Sequence, residues 1–95
     1  MTEDHPDHAR AQNLLGAACA TLGHRECALA AFEASIRANP RDPSTYINLA
    51  QFSLASANPD AAAKYFADAL SIDPSSQAAR NGLAELSKVL KSDSK

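Results

Sequence analysis

The chain is 95 residues long, enough for one domain and no more. Its composition, 45% hydrophobic and 21% charged with no tryptophan, is that of a globular protein rather than a disordered one. The formal net charge is −2 and the arginines are scattered, which excludes the basic stripe that nucleic-acid phosphates require.

Proline, glycine and capping residues divide the chain into five predicted helices. The first covers 8–22 and stops at Gly23, a residue suited to the left-handed turn that ends a helix. The second covers 25–38 and is stopped by Pro40. The third, 43–56, opens on Asp42-Pro43, and the fourth, 59–72, on Asn58-Pro59. In each pair a capping side chain precedes a proline whose missing N–H costs nothing in the first turn. Pro74 ends the fourth helix, and a fifth covers 76–91. Each carries one apolar stripe at the helical period: Leu15, Ala18, Cys19 and Leu22 on the first; Ala28, Phe32, Ser35 and Ile36 on the second. Tyr46, Leu49, Ala50 and Ser53 follow on the third, Ala62, Phe66, Ala69 and Leu70 on the fourth, and Ala79, Leu83, Leu86 and Leu90 on the fifth.

The stripes repeat. Pro6, Pro40 and Pro74 are 34 residues apart, and at that offset Leu15, Leu49 and Leu83 coincide. Ala28 falls on Ala62, Phe32 on Phe66, and Ser35 on Ala69. Small residues stand opposite large ones, so Gly16 and Ala50 are expected to receive the rings of Phe32 and Phe66. A fixed period of this length marks a stack of helix pairs, in which each unit buries its apolar face against its neighbour.

This pattern resembles the tetratricopeptide repeat. The resemblance rests on Leu15, Gly16, Ala28, Phe32 and Pro40 in one unit and Tyr46, Leu49, Ala50, Ala62, Phe66, Ala69 and Pro74 in the next, with Leu83 beginning a third. It departs at Gln12, where the family favours a bulky residue, and at Cys19 and Ser53, where it favours tyrosine. It implies an all-α fold, a right-handed α-α superhelix of two helix-turn-helix repeats plus a C-terminal capping helix. The units run 9–42 and 43–76, with the capping helix at 77–91 and a disordered tail at 92–95. Residues 1–8 read as the tail of a missing or vestigial repeat, as in a piece of a longer protein.

The resemblance also implies a function. Such repeats bind other proteins on the concave side, lined by the first helix of each pair. Carried over position by position, the groove residues are Arg10, Asn13, Ala17, Ala20 and Thr21 in unit one, and Ser44, Ile47, Gln51, Leu54 and Ala55 in unit two. Ala78, Asn81, Glu85 and Lys88 follow on the closing helix. Asn13, Gln51 and Asn81 offer amides to a peptide backbone, and Ile47 and Leu54 offer apolar surface. Of the carboxylate clamp known in one branch of the family, only Asn48 is matched; Ala17, Ala78 and Gly82 stand at other clamp positions. No clamp of that type is expected. The expected function is therefore a protein-interaction scaffold holding a peptide or helical segment of a partner. The alternative is a self-associating module or spacer, with a homo-oligomer as the product.

Other chemistry finds little footing. No phosphate loop, H-E-x-x-H, C-x-x-C or G-x-S-x-G is present, so neither enzyme activity nor cofactor is expected. His5 and His8 with Asp4 and Asp7 have helical-turn spacing, but at a fraying terminus they are expected to hold no metal. Cys19 and Cys27 fit no metal or redox spacing and are expected to act as two small hydrophobes near the core. The longest weakly polar run, Leu14 to Gly23, is too short to span a bilayer, so no membrane insertion is expected. The acidic segment before it does not resemble a secretion signal. The compartment is open: cytoplasm by default, periplasm where an N-terminal signal has been removed.

Overall fold

The structure is a computed structural model; it describes the backbone of residues 6–93 and the side chains of residues 8–88. Five helices follow one another: α1 Pro6–Leu22, α2 Arg25–Ala38, α3 Pro43–Ala55, α4 Pro59–Ile72 and α5 Gln77–Asp93. Helix α1 starts two residues earlier than the pattern implied, and α5 runs two residues further. Among the described residues there is no strand. Helices α1 and α2 form one antiparallel pair and α3 and α4 a second, with α5 lying chiefly against α4. The arrangement is an all-α helical-repeat solenoid. His5 and the outermost residues at both ends lie outside the described residues, as does the side chain of Leu90.

The helix boundaries follow from local chemistry. Asp42 Oδ1 accepts from the Ser44 N–H at 3.0 Å and from Ser44 Oγ at 2.7 Å, satisfying an N–H that the first turn leaves without a partner. Asn58 Oδ1 accepts from the Ala61 N–H at 3.3 Å, and Pro43 and Pro59 each take the first helical position. Between units, Asp73 Oδ1 accepts from the Ser75 N–H at 3.1 Å, and Ser76 Oγ accepts from the Ala79 N–H at 3.3 Å at the head of α5.

The turns inside the two pairs differ in one telling residue. Gly23 takes a φ of 83° after α1, and its repeat mate Ala57 takes 62° after α3. An L-residue with a Cβ pays roughly 1–2 kcal/mol for that left-handed conformation, and glycine does not. Ala57→Gly is therefore expected to raise stability by about 1 kcal/mol, and Gly23→Ala to lower it by a similar amount. Nothing lies within 4 Å of a Cβ built on Gly23, so the cost there is conformational alone. Urea unfolding followed by circular dichroism reads both; a neutral Ala57→Gly would show that the turn carries no such strain.

The core is thin and alanine-rich. One cluster joins Ala50, Ala62, Phe66, Ala69, Ala79 and Leu86, with Tyr46, Ile47, Leu70 and Leu83 packed around it. A second joins Cys19, Ala28, Phe32 and Leu49. Phe32 packs on Gly16 so closely that a Cβ on the glycine would lie 2.6 Å from the ring. Ala50 and Phe66 share the first cluster, and Gly82 of α5 also meets that ring: a Cβ there would lie 2.3 Å from it. The 34-residue register put Ala84 in line with Gly16 and Ala50, yet Ala84 is exposed. Docked chiefly on α4, α5 turns Ala79, Gly82 and Leu86 inward instead.

Helix α1 departs from its expected stripe. Of Leu15, Ala18, Cys19 and Leu22, only Cys19 is buried; Leu15 is 47% and Leu22 71% exposed. The buried side of α1 is Ala9, Asn13, Gly16 and Cys19. The reason lies in the stack. Leu49 is buried beside Phe32 of α2, whereas no described helix precedes α1 to cover its repeat mate Leu15.

Two further corrections concern polar and sulfur chemistry. Cys19 and Cys27 are joined in a disulfide, with Cα atoms 5.8 Å apart, rather than serving as two free hydrophobes. The tight reversal at Gly23-His24 places the last turn of α1 beside the first turn of α2, which is what brings residues 8 apart within bonding reach. Ser35, whose repeat mate is Ala69, is more than one member of an apolar stripe. Fully buried, its hydroxyl lies 2.9 Å from the Ala9 carbonyl of α1 and 2.9 Å from Thr45 Oγ1 of α3. It ties three helices together. Ser35→Ala leaves the buried Thr45 hydroxyl short of a partner and is expected to cost about 1–3 kcal/mol, whereas the pair change Ser35→Ala with Thr45→Val should recover part of that loss in the same unfolding experiment.

Candidate protein-binding groove

The first helices of the two pairs, α1 and α3, meet along one side of the solenoid. Polar side chains stitch them there. Asn48 Nδ2 donates to Asn13 Oδ1 at 2.9 Å, and Asn13 Nδ2 donates to Ser44 Oγ at 3.2 Å. Asn13 is buried and Asn48 half-buried, so these amides spend part of their hydrogen-bonding capacity fixing α1 against α3. Neither is a loose surface amide.

Beyond that stitch the groove opens. A hollow of ≈ 250 Å³ lies between the helices, walled by Ala17, Ala20, Thr21, Gln51 and Ala55, with Phe32 and Phe52 at its floor. Four of its walls are small residues, which is why there is space at all. Thr21 Oγ1 donates to the Ala17 carbonyl at 3.0 Å, leaving its methyl group and lone pairs outward. The phenyl rings of Phe32 and Phe52 sit 6.4 Å apart at 58°, a tilted arrangement that favours edge-to-face attraction.

The remaining expected groove residues divide. Gln51 and Leu54 are exposed, Leu54 by 42%. Arg10 is exposed on the first turns of α1, and Asn81 and Glu85 are exposed on α5. Ile47 is half-buried and packs against the cluster around Phe66, so part of its side chain serves the fold. The hollow brings together Ala17, Ala20, Thr21, Asn48, Gln51 and Ala55. It does not include Arg10, Asn81 or Glu85.

Sequence patterning passed over Phe52. Its repeat mates are Ala18 and Leu86, and that size mismatch was the available signal. Electrostatically the surface is mild. Among the described residues the one ion pair is Lys64–Asp68 at 3.8 Å, on the exposed side of α4, with Lys64 also 5.8 Å from the Tyr65 ring centroid. Among the described residues no cluster of His, Cys, Asp or Glu has the geometry of a metal site, and no helix is long and apolar enough to cross a membrane.

Comparison with known proteins agrees with the geometry. Two family models, each described as a tetratricopeptide repeat, match residues 9–52 and residues 43–76. No curated protein matches the chain. Repeats of this family generally mediate protein–protein interactions, and its members are typically non-enzymatic scaffolds. The matched segments together run from residue 9 to residue 76, across both helix pairs: this chain belongs to the tetratricopeptide repeat family.

Proposed function

We propose that the chain is an interaction scaffold whose concave groove holds a peptide or helical segment of a partner protein. The observation that carries this reading is the hollow between α1 and α3. It combines an aromatic floor at Phe32 and Phe52 with the accessible side chains of Thr21, Asn48 and Gln51. Apolar depth gives affinity, and the amides meet a peptide backbone. Leu54 extends the apolar surface on the exposed side of α3.

The test is a paired pull-down from native cell extract, with preys identified by mass spectrometry. One bait is the wild type; the other carries Gln51→Ala and Leu54→Asp, after circular dichroism confirms its fold. Ile47 is left intact because its contacts with the Phe66 cluster would confuse binding with folding. Preys lost with the second bait support the groove. An identical set of preys on both baits would move the partner to another face.

A second reading, self-association, has one specific observation in its favour. Leu14, Leu15 and Leu22 are 64%, 47% and 71% exposed on α1, and no charged residue interrupts Ala11 to Gly23. A contiguous apolar helix face is a surface that other helices cover. Light scattering across a concentration series decides it. Self-association that disappears in Leu15→Lys/Leu22→Lys supports this reading, and a strict monomer at high concentration removes it.

A further inference from the structure

The groove does not end at the concave hollow. Two more hollows, of ≈ 380 Å³ and ≈ 360 Å³, continue from it around the edge where the α1–α2 and α3–α4 turns lie side by side. Phe52 lines all three. The middle one shares Ala20 and Ala55 with the concave hollow and Arg25 and Ser56 with the outer one, so the three form one open channel bent around a single aromatic ring. In the outer hollow Leu29 and Tyr65 add apolar wall.

Along this channel Arg25 is the sole charged residue in the lining. Its side chain is exposed, and among the described residues no carboxylate lies within ion-pairing distance of its guanidinium. The turn that carries it is fixed on both sides. The His24 N–H donates to the Cys19 carbonyl at 2.8 Å, and the Cys19–Cys27 disulfide spans the same reversal. An exposed guanidinium on a fixed turn, lining both the middle and the outer hollow, is complementary to an anionic group beside an apolar one.

We propose that this edge channel is a specificity site for an internal peptide segment that places a large apolar side chain on Phe52 and an aspartate or glutamate, one or two residues later, on Arg25. The proposal rests on the reading that the concave groove holds a partner segment, and it names that segment's chemistry. An internal segment is the occupant because the channel is open and runs on from one hollow into the next, where a chain terminus needs a closed end. The carboxylate clamp of the family is a different arrangement: of the channel's lining only Ala17 and Asn48 stand at clamp positions, and Phe52 and Arg25 do not.

The test uses acetylated, amidated octapeptides with an alanine and serine background. Each carries one leucine or phenylalanine and one aspartate, one or two residues after it. Two controls accompany them: asparagine in place of the aspartate, and a free C-terminal carboxylate with no aspartate. Each is titrated into 15N-labelled protein and followed by amide chemical shifts. The expected result is movement at Leu29, Phe52, Ser56 and Tyr65, with the aspartate peptide binding about threefold to tenfold more tightly than its asparagine control, as one partly shielded charge pair provides. Arg25→Gln should remove that preference while leaving the asparagine control unchanged. Because Arg25 is exposed, this variant keeps the fold.

Three outcomes overturn the proposal. The aspartate and asparagine peptides bind equally, Arg25→Gln retains the preference, or the free-carboxylate peptide alone binds. If peptides bind with shifts confined to the concave residues Thr21, Asn48 and Gln51, the groove reading stands and the edge site falls. If no peptide of either kind binds and the pull-down preys are also insensitive to Gln51→Ala/Leu54→Asp, both readings fall together.

Discussion

Phe66→Ala is expected to lower stability by about 3–5 kcal/mol, toward the upper end of that range. The cost of a large-to-small change depends on how far the neighbours collapse into the space. Here the buried neighbours are Ala50, Ala62, Ala69 and Ala79, with Gly82 against the far end of the ring. None has a side chain that can swing inward. Leu86 and the partly buried Tyr46, Ile47, Leu70 and Leu83 around the cluster can relax only in part, so a cavity remains. A domain of this size holds on the order of 5–14 kcal/mol in all, and the variant should be close to unfolding at room temperature. Urea denaturation monitored by helical circular dichroism measures it.

A double-mutant cycle separates this explanation from a general intolerance to substitution. In the wild type, Gly82→Ala puts a Cβ at 2.3 Å from the Phe66 ring, which forces a shift and destabilises despite alanine's better helix propensity. In the Phe66→Ala background the same change meets empty space and should become stabilising. That reversal of sign is the signature of direct contact. Additive effects would show that the ring and the glycine do not meet.

Reduction of the Cys19–Cys27 disulfide is expected to lower stability by about 2–3 kcal/mol. The closed loop is short, at a sequence separation of 8, so the loss of unfolded-state restriction is at the smaller end of what disulfides supply. The effect should fall unevenly. Helix α1 has an uncovered apolar side, with Leu15 and Leu22 exposed, and besides its packing on α2 it is tied by the Phe32–Gly16 contact, Ser35 to Ala9, and the Asn13 hydrogen bonds. Hydrogen exchange should therefore show α1 losing protection first on reduction, while α4 and α5 hold theirs. Because α1 forms one wall of the proposed groove, binding of a segment there should weaken in step. Cys27→Ser serves as the control that no longer responds to reductant. A wild-type urea midpoint that is the same with and without reductant would remove the clamp from this account.

The fold was legible early because its information is local and periodic. Pro43 and Pro59 with their capping residues Asp42 and Asn58 mark where helices can start, Gly23 where one must stop, and the 34-residue period puts aromatic against small twice over. Those features depend on a residue and its neighbours a few turns away, and the helix ends moved by no more than two residues in the structure.

The site was legible only in part. Repeat register assigns every unit the same environment, and the environments differ. Leu15 and Leu49 occupy one repeat position, and among the described helices only Leu49 is covered by a neighbour. Asn13 is spent on Asn48 and Ser44 because α1 and α3 come within hydrogen-bonding distance, a fact about two helices 35 and 31 residues apart in sequence. Helix α5 turned Gly82 rather than Ala84 to its contact because of how it docks on α4. By itself the sequence determined that this protein is a stack of helix pairs and which residues could build the core. The tertiary structure alone decided that Cys19 reaches Cys27, that Ser35 joins three helices, and that Phe52 and Arg25 share a channel. Each of these depends on how separate helices pack, and packing is settled by the shapes of surfaces brought together from distant parts of the chain.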